Sequence, residues 1–206
     1  MIQNRLHISS FLLLLVTLFC NPLVAQEISL DTEKSRLWLE GSSNVNNFQC
    51  RAEQYETQIA PPSVERAMDV EIDISVEGFE CGKRRMNRDL YETLQSQKFP
   101  TISFDYITTD SLTYVDDTDH YTMVVTGTLN VAGTEKEIQF PMDAVLAEDG
   151  SVRATGKTTL RMTEYDVEPP KALFGLVRVE DELTVHFELY ASTSNVNTLQ
   201  DGEDQE

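Results

Sequence analysis

The sequence predicts an all-β protein of about eight antiparallel strands with a single helix. Three observations carry that expectation. Long stretches alternate apolar and polar residues with a period of two; only one stretch, near residues 86–97, has a helical period; and 206 residues with 40% hydrophobic content suit one domain with a real core.

Taken along the chain, Met1–Ser10 carries one cation, Arg5, and Phe11–Phe19 is an apolar run of nine residues interrupted only by Thr17. That is well short of the roughly 20 residues that span a bilayer. A short charged start, a short apolar run, then Pro22 and the small Ala25 read as a secretory signal cleaved after Ala25. Cys20 follows Phe19 rather than a small residue, so no lipid anchor is expected there. Residues 26–191 are expected to form the domain, which would act in the periplasm or as a secreted protein.

Short strands are expected at Arg36–Gly41, Phe48–Ile59 and Ile102–Ile107. Between the first two and the third, Met68, Val70, Ile72, Ile74 and Val76 alternate with Asp69, Glu71, Asp73 and Ser75, giving one dry face and one acidic face. Met86, Leu90 and Leu94 then fall four apart with Tyr91 beside them, a helical stripe that ends before Phe99-Pro100. Tyr121, Met123, Val125, Gly127, Leu129 and Val131 restore the period of two; after an Ala132-Gly133 turn, Ile138 and Phe140 continue it. Val152, Ala154, Gly156, Thr158, Leu160 and Met162 form the next apolar face, and Leu183, Val185, Phe187 and Leu189 the last. Residues 192–206 have almost no large apolar side chains and four acids, and an acidic disordered tail is expected. Strands with one-sided alternation end as a sandwich or as a closed barrel, and the period alone leaves both open.

Charge excludes one class. With 16 Lys+Arg against 35 Asp+Glu, the net charge of −19 opposes nucleic-acid binding. Export places Cys50 and Cys81 in an oxidising compartment, where a disulfide between them is expected. The alternative is two buried free thiols. A metal site is not expected: with His120 and His186 the two cysteines have no zinc-ligand spacing, and Asp116–Asp119 lacks the glycine and closing Glu of a calcium loop.

Several phrases occur in one order: Trp38 with Gly41-Ser42-Ser43-Asn44-Val45, Met86-Asn87 opening the helix, Phe99-Pro100-Thr101-Ile102-Ser103-Phe104, Gly127–Thr134, and Phe174-Gly175 before the terminal strand. Together they resemble the YceI family over roughly residues 28–190. Where many relatives have His after the Ser-Asn-Val phrase, this chain has Asn46 and Asn47. The resemblance implies an exported, lipocalin-like antiparallel barrel with the helix packed near its mouth. It also implies a long apolar cavity holding a polyisoprenoid such as a quinone or polyprenyl lipid.

On that reading the cavity is lined from the early strands by Phe48, Val70, Ile72, Ile74 and Phe79, and from the helix by Met86, Leu90 and Leu94. The later strands contribute Phe104, Met123, Val125, Leu129, Phe140, Leu160, Met162 and Phe174. The same stripes would equally fill a solid core. Headgroup contacts are expected from Arg84, Arg85, Asn87 and Arg88, which together with Lys83 concentrate cations at the helix start. The plainer alternative is that these cations pair with neighbouring acids.

The expected function is an exported binding protein that carries, stores or sequesters an isoprenoid lipid, as monomer or homodimer, with no cofactor, no nucleic acid and no stable membrane anchor. A surface interaction module with a filled barrel is the alternative. An enzyme is not expected, since His120 sits in an acidic turn and His186 on a polar strand face, neither with an evident nucleophile.

Overall fold

A computed structural model describes residues 26–60, 69–116, 119–172 and 175–195. The expected leader 1–25, Met68, Phe174 and the tail beyond Asn195 lie outside the described residues. Glu27–Ser194 form one compact unit.

Twelve strands and one helix are described. The strands are β1 (Gln26–Leu30), β2 (Arg36–Ser43), β3 (Asn47–Ala52), β4 (Tyr55–Ala60), β5 (Asp69–Ser75), β6 (Phe79–Glu80), β7 (Thr101–Asp116), β8 (His120–Val131), β9 (Thr134–Leu146), β10 (Val152–Arg161), β11 (Lys171–Ala172) and β12 (Val177–Asn195). The helix, α1, spans Arg84–Thr93. The strands pair in the order β4-β5-β7-β8-β9-β10-β12-β2-β3-β6, with β1 and β11 each against β12.

The two ends of that order belong to one hairpin. β4 pairs with β5 and β3 pairs with β6. Between them Glu53 N–H donates to Gly78 O at 2.9 Å and Ser75 N–H to Gln54 O at 3.1 Å. β3 and β4 are therefore one strand bent at Glu53-Gln54, and β5 and β6 one strand interrupted by the 3₁₀ turn Val76–Gly78. The sheet thus curls back on itself through this hairpin. Merged in this way, and with the short β1 and β11 set aside, the strands reduce to eight staves of an antiparallel barrel. A sandwich is excluded, because the eight staves join in one path whose ends meet in this hairpin.

The alternation predicts most of these strands, and the departures have local causes. β7 runs to Asp116, well past Ile107, because register shifts after Tyr106, Asp110 and Tyr114 break the period of two. β12 continues through Ser192–Asn195, residues assigned to the tail on composition. Val76, read as the end of an alternating strand, starts the 3₁₀ turn instead. Helix α1 begins at Arg84 rather than Met86. Cys81 N–H donates to Asn87 Oδ1 at 2.8 Å, tying the entering loop to the first turn. It ends at Thr93, and Gln95, at φ 54°, turns the chain left-handed soon after.

Inside the barrel, aromatic rings lie over glycines on adjacent strands. A Cβ built on Gly41 would lie 2.4 Å from the Phe48 ring, one on Gly127 2.3 Å from Phe104, and one on Gly156 2.3 Å from Phe187. Gly41 faces Phe48 and Gly156 faces Phe187 in the ladder register. Phe104, Phe140 and Phe187 stack into a continuous cluster, with ring centroids 5.7 and 5.2 Å apart. With buried Tyr106 and Val125 they fill the middle of the bore.

A second cluster holds buried Val76, Leu94, Leu129, Tyr165 and Val167. Tyr165 is 3% exposed, and its hydroxyl has no protein hydrogen-bond partner. Burial pushes its phenol pKa up. Removing an unpartnered buried hydroxyl removes a desolvation cost. Tyr165→Phe is therefore expected to raise stability by up to ~1 kcal/mol, seen as a higher thermal midpoint; a loss exceeding that amount would show that the hydroxyl is satisfied.

Candidate functional site: a cavity under the helix

A cavity of about 620 Å³ opens where α1 lies across one end of the barrel. Its apolar wall comes from Leu39, Phe48 and Leu183 on the strands, Met86 and Leu90 on the helix, and Met162. The cavity sits beside the Phe-filled middle of the bore rather than running its length. Its volume falls within the range of small-molecule sites, about 300–1,000 Å³.

Cys50 and Cys81 are disulfide-bonded, and both line the cavity. Cys50 lies on β3, and Cys81 precedes the Gly82-Lys83 turn into α1, so the cross-link fixes the helix entry against the barrel wall. Tyr91 reinforces the same placement, its hydroxyl donating to Phe79 O at 2.7 Å.

The opposite wall is the Glu168-Pro169-Pro170-Lys171 segment with Val177 and Val179. Consecutive prolines hold this segment extended without backbone donors. Asn44 pins the mouth. Its Nδ2 donates to Leu176 O, and its Oδ1 accepts Arg178 N–H, both at 2.9 Å. Ser43 N–H donates to Asn46 O at 2.9 Å, closing the turn between β2 and β3. The Gly-Ser-Ser-Asn-Val phrase is thus a structural turn at the cavity rim. The Phe99-Pro100 phrase has a similar role: Phe99 packs over Gly133, which sits at φ 82° where a Cβ would lie 2.4 Å from the ring.

The charged rim is paired. Lys171 Nζ lies 2.9 Å from Glu168 Oε1, and this ammonium holds the Glu168 carboxyl below its ordinary pKa. Arg85 lies 3.7 Å from Asp89 and Arg88 3.9 Å from Glu92, both one turn apart on α1.

The structure gathers Phe48, Met86, Leu90 and Met162, with Cys50 and Cys81, around this cavity. It places Ile72, Ile74 and Phe79 in the core beside the disulfide, Leu94, Leu129 and Leu160 in the cluster around Tyr165, and Val70, Phe104, Met123, Val125 and Phe140 in the mid-bore cluster. Phe174 lies outside the described residues. Of the expected headgroup residues, Arg85 lines the cavity and Arg84 and Arg88 do not. Asn87 turns to Glu80, donating to its Oε2 at 2.8 Å.

Sequence reasoning missed Leu39, Val177, Val179 and Leu183 as wall residues, together with the Glu168–Lys171 segment. The Pro169-Pro170 pair was the available signal for a rigid rim. Elsewhere, His186 stacks on Trp38 with centroids 4.9 Å apart, and His120 lies 3.3 Å from Asp143 Oδ1. Neither lines the cavity. Among the described residues no cluster of three or more His, Cys, Asp or Glu is placed to hold a metal, and no helix is long and apolar enough to cross a membrane.

A YceI-like domain profile matches residues 29–191. The chain belongs to the YceI family. Solved structures agree in fold. A polyisoprenoid-binding domain from Saccharophagus degradans, implicated in plant cell wall breakdown, superposes with a TM-score of 0.67 at 14% identity, covering 82% of this chain and 100% of that one. Burkholderia cenocepacia BcnA gives 0.61 at 16% identity, covering 79% and 99%. A Campylobacter jejuni YceI protein gives 0.52 at 14% identity, covering 70% and 84%. No curated protein matches the chain.

Proposed function

We propose that this YceI-family chain is an exported lipid-binding protein that holds an isoprenoid in the cavity under α1, for transport, storage or sequestration and without catalysis. The single observation that carries this reading is the 620 Å³ cavity with a wall of aliphatic, aromatic and Met side chains. Each five-carbon unit buried there gains about 4 kcal/mol, at about 0.8 kcal/mol per methylene, before ordering costs. The polyisoprenoid binding stated for the Saccharophagus degradans domain supports the ligand class. The leader-like residues 1–25 and the Cys50–Cys81 disulfide support a site of action in the periplasm or outside the cell.

The test is native mass spectrometry of residues 26–206, expressed with export and purified without detergent, followed by organic extraction. A stoichiometric adduct with an isoprene-repeat mass is expected. Met86→Trp, which places a large ring in the cavity from the helix, is expected to abolish the adduct while the thermal midpoint stays within a few degrees. A protein that stays ligand-free after incubation with quinones and polyprenols would favour the second reading, an interaction module, which the Phe-filled middle of the bore supports.

A further inference from the structure

We infer that the cavity rim docks transiently on an anionic lipid bilayer, through Val45 and Leu176 on its lip and the cations at the start of α1. Only the purpose of such docking, passage of a lipid between bilayer and cavity, rests on the lipid-binding reading above.

Leu176, 73% exposed, is the most exposed large apolar side chain among the described residues, and Val45 is 62% exposed. Both stand at the cavity edge. Val45 lies between the lining residues Ser43 and Asn46 in the β2–β3 turn, and Leu176 directly precedes the lining Val177. A single exposed apolar side chain is ordinary, but this pair is held as a unit. Asn44 bridges the two segments through its side chain, and its own N–H donates to Arg178 O at 3.1 Å. The tip of the turn also satisfies its own donors: Ser43 Oγ accepts Val45 N–H at 3.3 Å and Asn46 N–H at 3.2 Å. A turn whose N–H groups need no water loses little on entering an apolar phase, and one already rigid loses little freedom in doing so.

Charge names the surface. Between Cys81 and Pro100 five cations, Lys83, Arg84, Arg85, Arg88 and Lys98, stand against two acids, Asp89 and Glu92, in a chain whose net charge is −19. Lys83 and Arg84 are exposed and make no ion pair among the described residues. Arg85 and Arg88 meet their acids only at 3.7 and 3.9 Å, on a solvent-facing helix where such pairs hold weakly. Beside Leu176 on the lip, Arg178 is exposed and its Nε donates to Gly175 O rather than to an acid. Anionic headgroups attract such side chains, while the acidic remainder of the protein is repelled, so the molecule meets the bilayer rim-first and leaves it readily. A soluble polyanion would engage the cations and leave Val45 and Leu176 in water; a bilayer takes up both.

The test is co-sedimentation of the purified, oxidised protein with vesicles of phosphatidylcholine alone and of phosphatidylcholine with phosphatidylglycerol in equal parts. At low salt the anionic vesicles are expected to bind at least ~10-fold more tightly, the margin shrinking at high salt. Val45→Asp with Leu176→Asp is expected to weaken binding to the anionic vesicles by ~10-fold or more, and Lys83→Glu with Arg84→Glu by a similar factor. Leu112→Asp, at a side chain 63% exposed that does not border the cavity, is expected to leave binding within ~2-fold. All these positions are exposed, so thermal midpoints are expected to stay close to that of the unsubstituted protein. Equal binding to the two vesicle types at low salt overturns the docking. So does a loss in the charge variant with none in the Val45/Leu176 variant, which leaves a polyanion as the occupant. Neither vesicle contains an isoprenoid, so docking is read whether or not the cavity takes one, and the isoprenoid adduct stands or falls separately by native mass spectrometry.

Discussion

Replacing both Cys50 and Cys81 with Ala is expected to cost about 3 kcal/mol of stability, the larger part through the unfolded chain. The bridge links residues 31 apart, and freeing that loop restores conformational entropy to the denatured state. For a domain of this size the loss corresponds to a fall of roughly 6–12 °C in thermal midpoint. A second effect is specific to this fold. Cys81 stands just before α1 and Cys50 lies on the barrel wall opposite, so cutting the link loosens the helix that covers the cavity. Ligand affinity is therefore expected to fall along with stability. The check is denaturant unfolding of the oxidised, reduced and double-Ala forms, with lipid titration under native conditions. A loss below ~1 kcal/mol with unchanged affinity would mean that Tyr91 and the apolar face of α1 hold the helix without the cross-link.

The strands and the disulfide were legible because both rest on local rules. Strict alternation such as Val70, Ile72 and Ile74 has one geometric reading, a half-buried strand, and the two cysteines that follow the expected leader allow one intramolecular bridge. The split between lining and filling was not legible, since Met86 and Val125 are both inward apolar residues and differ only in what stands opposite. Leu90 faces open space under the helix, whereas Phe140 meets Phe104 and Phe187. That difference is set by the bend at Glu53-Gln54 and by where α1 lands, neither of which has a period. The cation cluster divides for a related reason. Composition places Arg84, Arg85 and Arg88 together, but a helix turns successive residues by about 100°, so one of the three lines the cavity while two do not. Their partners Asp89 and Glu92 stand one turn on, and that spacing was readable in the sequence as ordinary i,i+4 pairing.

Phe187→Ala is expected to be the most destabilising single core substitution, at about 3–5 kcal/mol, and to contrast with Phe48→Ala. Phe187 is 8% exposed, stacks edge-on against Phe140 and lies over Gly156, where a Cβ has no room. The cluster around it is anchored on six different strands, β2, β5, β7, β8, β9 and β12, so the barrel cannot collapse into the space the ring vacates. Phe48 also covers a glycine, but it borders the open cavity. Deleting it enlarges space that is already accessible, so less packing is lost and no closed void forms. Phe48→Ala is expected to cost at most about half as much while changing which ligands fit, because it removes a ring from the cavity wall. Equilibrium unfolding of the two variants, read beside their affinities for C20 and C45 polyprenols, tests the boundary between filled bore and open cavity. Equal stability losses with unchanged length preference would place that boundary elsewhere in the barrel. A large loss at Phe187 with a longer tail accepted at Phe48 would mean that one row of inward aromatics sets both stability and ligand length.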